Sequence, residues 1–63
     1  MSKLRELRLR AGITQSELAV EIDKTAAAIS QYEHGVHTPP VSVAKKIARI
    51  LGCNWSDLYD EDG

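Results

Sequence analysis

The sequence predicts an all-α domain, and three observations carry that expectation. Apolar residues recur at intervals of three and four, and nowhere alternate with polar ones long enough for a strand. Gly12, Gly35, Gly52 and the Pro39-Pro40 pair fall between the apolar runs rather than inside them. Thr and Asn stand where helices starting after those breaks need N-caps.

Taken in order, Leu4, Leu7 and Ala11 share one face of a first helix, which Gly12 ends. Thr14-Gln15-Ser16-Glu17 has the form of a capping box, in which the threonine oxygen accepts from the third amide and the glutamate reaches back. The second helix then turns Leu18, Ala19 and Ile22 inward, and Asp23-Lys24-Thr25 limits it to at most about nine residues. Thr25 N-caps a third helix running to about His34, with Gly35 as its stop. Thr25, Ile29 and Tyr32, at i, i+4 and i+7, are expected inward, leaving Ala26, Ala27, Ser30, Gln31 and His34 outward. After the connection from Val36 to Pro40, a fourth helix carries Val41, Ala44, Ile47, Ala48 and Leu51 on one side and ends at Gly52. Pro40 suits its first turn, with Thr38 as a substitute cap. Asn54-Trp55-Ser56-Asp57 opens a last short helix containing Leu58 and Tyr59, and residues 60–63 are expected to fray. The expectation is a single domain over 1–63, a compact bundle of five short helices.

A 63-residue chain buries only about 60% of its unfolded surface, so its core is small. With Cys53 as its only cysteine it forms no internal disulfide, which fits a reducing compartment. The first residues lack the apolar run of a signal peptide. No stretch approaches the roughly 20 apolar residues of a membrane span. A soluble, cytoplasmic protein is therefore expected, without a membrane partner. The net charge is −1, but Asp57, Asp60, Glu61 and Asp62 lie in the last seven residues, and without them the rest carries +3. The body is mildly basic and the tail acidic, a distribution that permits nucleic-acid binding.

The informative segment is 15–34, two short helices joined by a tight turn, with Ala19 small enough to let their backbones cross closely. Here the chain resembles the lambda-repressor/Cro-like (XRE-type) helix-turn-helix regulators over residues 4–58. The residues that carry the likeness are Leu7-Arg8, Gly12-Ile13-Thr14-Gln15, Glu17-Leu18-Ala19, Ile29-Ser30, Tyr32-Glu33, Gly35, Pro39, Lys46-Ile47-Ala48 and Leu51-Gly52. The resemblance implies a lambda-repressor-like domain that sets its third helix in the major groove of double-stranded DNA as a homodimer. Thr25, Ala26, Ala27, Ser30 and Gln31 would then read bases, Gln15, Ser16, Lys24, His34 and His37 would face phosphates, and Gln15 would also brace the third helix. Arg8 and Glu33 would form a structural ion pair, and Trp55, Leu58 and Tyr59 would close the core, make the dimer contact, or do both. Two positions depart from the family pattern: Asp23 stands where the turn usually has glycine, and Pro40 where a capping serine is common.

Other chemistry is poorly supported. His34, His37 and Cys53 do not make the four-ligand set of a structural metal site, and Cys53 reads as a small core hydrophobe. No paired carboxylates, nucleophile–base arrangement or phosphate-cradling glycine loop suggests an enzyme, a cofactor or a small-molecule ligand. The expected function is a Cro-like transcriptional repressor, bacterial or phage-encoded, acting on a pseudo-palindromic operator. The alternatives are a protein-binding module of the same fold, antitoxin- or antirepressor-like, and a DNA-binding fragment of a longer repressor.

Overall fold

A computed structural model describes residues 1–59. It contains four α-helices, α1 (Ser2–Arg10), α2 (Gln15–Glu21), α3 (Ala26–Glu33) and α4 (Val41–Leu51), followed by a 3-10 helix, Trp55–Leu58. The fifth expected α-helix is thus one turn of 3-10 helix. Asn54 occupies its N-cap position without a side-chain hydrogen bond, and four residues with no cap oxygen do not sustain α geometry. The expected frayed tail, 60–63, lies outside the described residues.

Local sequence explains most of the boundaries. Thr14 Oγ1 accepts from the amide of Glu17 at 3.0 Å, and Glu17 Oε1 accepts from the amide of Thr14 at 2.9 Å, so the capping box is closed. Thr25 Oγ1 accepts from the Ala28 amide at 3.1 Å. That cap keeps Thr25 at the surface, which corrects its expected inward placement: an N-cap lies half outside the helix, so the i, i+4 rule does not aim its side chain at the core. α4 opens differently. Pro40 is its N-cap, with no side-chain cap from Thr38 or any other residue, and Val41 is 47% exposed instead of inward. Ala11, at the end of α1, is exposed as well; the buried partner of Leu4 on that helix is Arg8.

Each α-helix ends the same way, on a residue with φ between 61 and 77° whose successor donates back five positions. At α1 the Ile13 amide bonds the Arg8 carbonyl, at α2 Lys24 bonds Ala19 at 2.8 Å, at α3 Val36 bonds Gln31 and at α4 Cys53 bonds Ala48. This is the Schellman closure, which satisfies carbonyls that would otherwise be orphaned. Three of the four left-handed positions are glycine; the fourth is Asp23, at φ 61°. Its β-carbon carries the left-handed penalty that glycine avoids, at the turn that sets α2 against α3.

The buried core joins all five elements: Leu4 from α1, Leu18 and Ala19 from α2, Ile29 and Tyr32 from α3, Ala44, Ile47 and Ala48 from α4, Leu58 from the 3-10 helix, and Ile22 beyond α2. Ala19 sits where α2 meets α3. Neither helix reaches the length at which isolated helices persist, so this shared core is what holds them folded. Cys53 is half-buried against the same cluster. Among the described residues no helix is long and apolar enough to cross a membrane.

Replacing Asp23 by glycine is expected to raise stability by about 1 kcal/mol, seen as a melting temperature roughly 4–8 °C higher. A melting temperature at or below that of the parent would show that the penalty at Asp23 does not exceed the freedom glycine adds to the unfolded chain.

Candidate nucleic-acid interface

α3 carries a single acid, Glu33, and the structure turns it away from solvent. The Glu33 side chain is only 1% exposed and that of Arg8 8%. Arg8 Nε donates to Glu33 Oε2 at 2.6 Å, and Arg8 Nη2 donates to Oε1 at 3.3 Å, a two-pronged pair between α1 and the end of α3. Arg8 Nη1 donates to the Ile13 carbonyl at 2.8 Å. Gln15, the first residue of α2, donates through Nε2 to Glu33 Oε1 at 3.0 Å. Among the described residues no buried side-chain nitrogen or oxygen lacks a partner. Removing two charges from water is repaid only when the geometry is this complete.

With Glu33 withdrawn, the outward side of α3 presents Ala27 and Gln31, both exposed, beside the half-buried Ala26 and Ser30. No carboxylate belonging to α3 faces solvent there. Thr25 is at the head of this face, its hydroxyl oxygen engaged in the cap. Gln31 is the one long hydrogen-bonding side chain on it. At the far end, His34 folds back so that Nδ1 lies 2.9 Å from the Ser30 carbonyl oxygen and 3.3 Å from Ser30 Oγ. A carbonyl only accepts, so Nδ1 carries the proton, and in the neutral ring Nε2 is the outward acceptor. His34 therefore offers an anion a donor at Nε2 only when protonated.

Ser16 and Lys24 are exposed at the start of α2 and just before α3, and His37 is exposed beyond the α3 stop. The Gln15 amide is divided between two tasks: one N–H is committed to Glu33, which leaves the second and the oxygen available. The Gln15–Glu33 bond is a link that spacing along the chain does not announce, because the residues are eighteen positions apart and on different helices.

The C-terminal residues separate. Leu58 is fully buried in the core, the core-closing use that was one of the two expected for this cluster. A 3-10 turn, at three residues per turn, points Leu58 down into the bundle. Trp55 remains 38% exposed, stands edge-on to the half-buried Tyr59 at 5.8 Å and 89°, and has Lys45 Nζ 6.0 Å from its ring centre. Tyr59 donates its hydroxyl to the Pro39 carbonyl at 3.3 Å, tying the end of the chain to the start of α4.

A helix-turn-helix family profile matches residues 4–58, from within α1 to the end of the 3-10 helix. The chain belongs to the helix-turn-helix family. Among its relatives, an uncharacterized HTH-type transcriptional regulator of Methanothermobacter thermautotrophicus is 38% identical over 63 aligned positions, covering 95% of this chain and 91% of that protein. A second, from Archaeoglobus fulgidus, is 34% identical over 58 positions, covering 92% of this chain and 83% of that protein. The uncharacterized HTH-type transcriptional regulator YqaF of Bacillus subtilis is 34% identical over 58 positions, 92% of this chain and 76% of its own length. These names are those of regulators, not enzymes, and they span archaea as well as bacteria, a wider range than the bacterial or phage origin the sequence suggested. No solved structure matches the chain.

Among the described residues no three His, Cys, Asp or Glu side chains gather as a metal site. Burial pushes the Cys53 thiol above its ordinary pKa, and the nearby Asp57 carboxylate pushes it further, so this sulfur is a poor nucleophile near neutral pH.

Two outcomes follow from this geometry. Arg8→Ala strands a buried carboxylate and is expected to cost on the order of 3–5 kcal/mol, enough to unfold a domain of this size; a denaturant midpoint equal to that of the parent refutes the assignment. Cys53 should react with iodoacetamide at pH 8 more slowly in the folded chain than in denaturant. Its rate should climb at higher pH than for an unfolded thiol, because the fold favours the protonated form.

Proposed function

We propose that this chain is a sequence-specific DNA-binding transcriptional regulator that sets α3 in the major groove. The single observation behind this is the acid-free outward face of α3, cleared by the withdrawal of Glu33 onto Arg8 and Gln15. A solvent-facing carboxylate at that end of the helix would repel the phosphate backbone. The names of the relatives support the same reading.

Direct readout on such a face is sparse. Gln31 donates and accepts at an adenine edge, while Ala26 and Ala27 offer methyl groups to thymine. Thr25 contacts bases chiefly through its methyl group, because its oxygen caps the helix, and Ser30 serves as a short polar neighbour. DNA shape and bridging water supply part of the remaining discrimination. Gln15, with its second N–H, Ser16, Lys24 and His37 hold phosphates, joined by His34 in its protonated form, and fix the register without specifying sequence.

The assembly is a homodimer on a pseudo-palindromic operator, with half-sites about 34 Å apart. Its contact centres on Trp55 and Tyr59, since a part-exposed indole is favoured at interfaces. Its output is repression of the Cro-like kind, by blocking access of the polymerase, in a cytoplasmic setting.

Random-site selection followed by affinity measurement tests the proposal. Gln31→Ala is expected to relax preference at one base pair, costing about 1–3 kcal/mol there, whereas Lys24→Ala should weaken all sequences evenly and reduce the salt slope by about 1. Failure to select any site, or a salt-independent affinity, excludes the DNA-binding assignment.

A further inference from the structure

Away from α3, α2 and α4 leave an open groove between them that the core does not fill. Two adjoining hollows, about 440 and 280 Å³, share Glu21 and Ile50 and together form one trough. Its floor is apolar: half-buried Ile13 and Ile50 flank Val20, which at 78% is the most exposed of the exposed large apolar side chains. Covering Val20 and Ile50 would remove apolar surface from water, which is favourable.

The rims carry opposite charge. Glu21 and Asp23 stand on the α2 side, Lys46 and Arg49 on the α4 side. Among the described residues Glu21, Asp23, Lys46 and Arg49 form no ion pair with one another, so these four charges are not spent on each other. A partner that fits must bring a base to the acidic rim and an acid to the basic rim, across an apolar centre. A basic peptide satisfies one rim and is repelled by the other. A second copy turned by a two-fold axis that runs along the trough satisfies both, because each acidic rim then lies over the partner's basic rim and the contact occurs twice.

We propose that the α2–α4 trough is a self-association face for a second copy of this chain, centred on Val20 and Ile50 and oriented by Glu21 and Asp23 against Lys46 and Arg49 of the other copy. It is separate from the Trp55 surface and does not rest on the DNA-binding reading. Charge pairs at such a rim contribute orientation and selectivity more than affinity.

The test is sedimentation equilibrium of the full chain without DNA, using Glu21→Lys and Arg49→Glu, both at exposed positions, with helical circular dichroism confirming that each folds. Each variant alone sets like charges against each other and should associate about tenfold more weakly than the parent. An equimolar mixture should recover parent-like association, because the lysine introduced in one copy then meets the glutamate introduced in the other, while the second contact is native. Charges that paired only within one chain would gain nothing from mixing. The Trp55 surface is common to every sample and cancels in the comparison. Val20→Asp should abolish the recovery. A mixture no tighter than the separate variants, or association unaffected by Val20→Asp, or a parent chain that sediments as a monomer, overturns the proposal.

Discussion

The Glu33 carboxylate is the point on which the helix arrangement depends. Its oxygens accept from Arg8 Nε and Nη2 on α1 and from Gln15 Nε2 on α2, and Arg8 also holds the Ile13 carbonyl in the connection between those helices. One buried charge thus fixes the mutual placement of α1, α2 and α3. An unpaired carboxylate in that position costs several kcal/mol, a large share of what a domain of this size has. Alternative packings that slide α3 along α1 leave the charge unmatched, so the network acts mainly by excluding them. Ile or Leu packing alone would tolerate such slippage more readily, since apolar contact is not directional.

The same network connects stability to the exposed face of α3. Drawing Glu33 inward requires that the last turn of α3 point it at Arg8, and this fixes the rotation of the helix about its own axis. With that rotation set, Ala27 and Gln31 have one outward direction. The Schellman closures at the helix ends then limit how far each short helix extends, and the Asp23 turn joins α2 to α3 at a fixed angle. The residue carrying the left-handed penalty is therefore at the junction between the two helices on which the proposed function depends. Glycine there removes the penalty and also loosens the unfolded chain, so the two effects partly oppose each other.

Much of this was legible in the chain itself, because the relevant forces are local. The capping box at Thr14–Glu17, the Thr25 cap and the stops at Gly12, Gly35 and Gly52 depend on residues within one turn of each other, and the structure has them where the spacing puts them. Helical periodicity likewise located Leu18, Ala19, Ile29, Tyr32, Ala44, Ile47 and Ala48 in the core. What was illegible depends on tertiary geometry or on helix ends. Thr25, Ala11 and Val41 lie at termini, where the 3.6-residue period no longer dictates direction. Leu58 lies in a 3-10 turn, whose angle per residue differs from that of an α-helix, so the sequence left its use open between core and interface. The Gln15–Glu33 bond joins distant positions of ordinary polar type; no local pattern distinguishes that glutamine from a surface one, and only the family resemblance, in which Gln15 braces the third helix, pointed to it.

The balance between rigid and sparse features bears on how a surface like that of α3 discriminates. A face with one glutamine and several small side chains makes few base contacts, so each contact counts only if its geometry is reproducible. Reproducibility costs least when the ordering entropy has been lost on folding rather than on binding. The buried Arg8–Glu33–Gln15 network does this for α3: it orders the helix in the free chain and leaves the Gln31 side chain as the main freedom still to be lost. A longer, more polar recognition helix would make more contacts but would have more rotamers to immobilise. On the proposed reading, the specificity of the exposed face is thus sustained by residues that lie outside it.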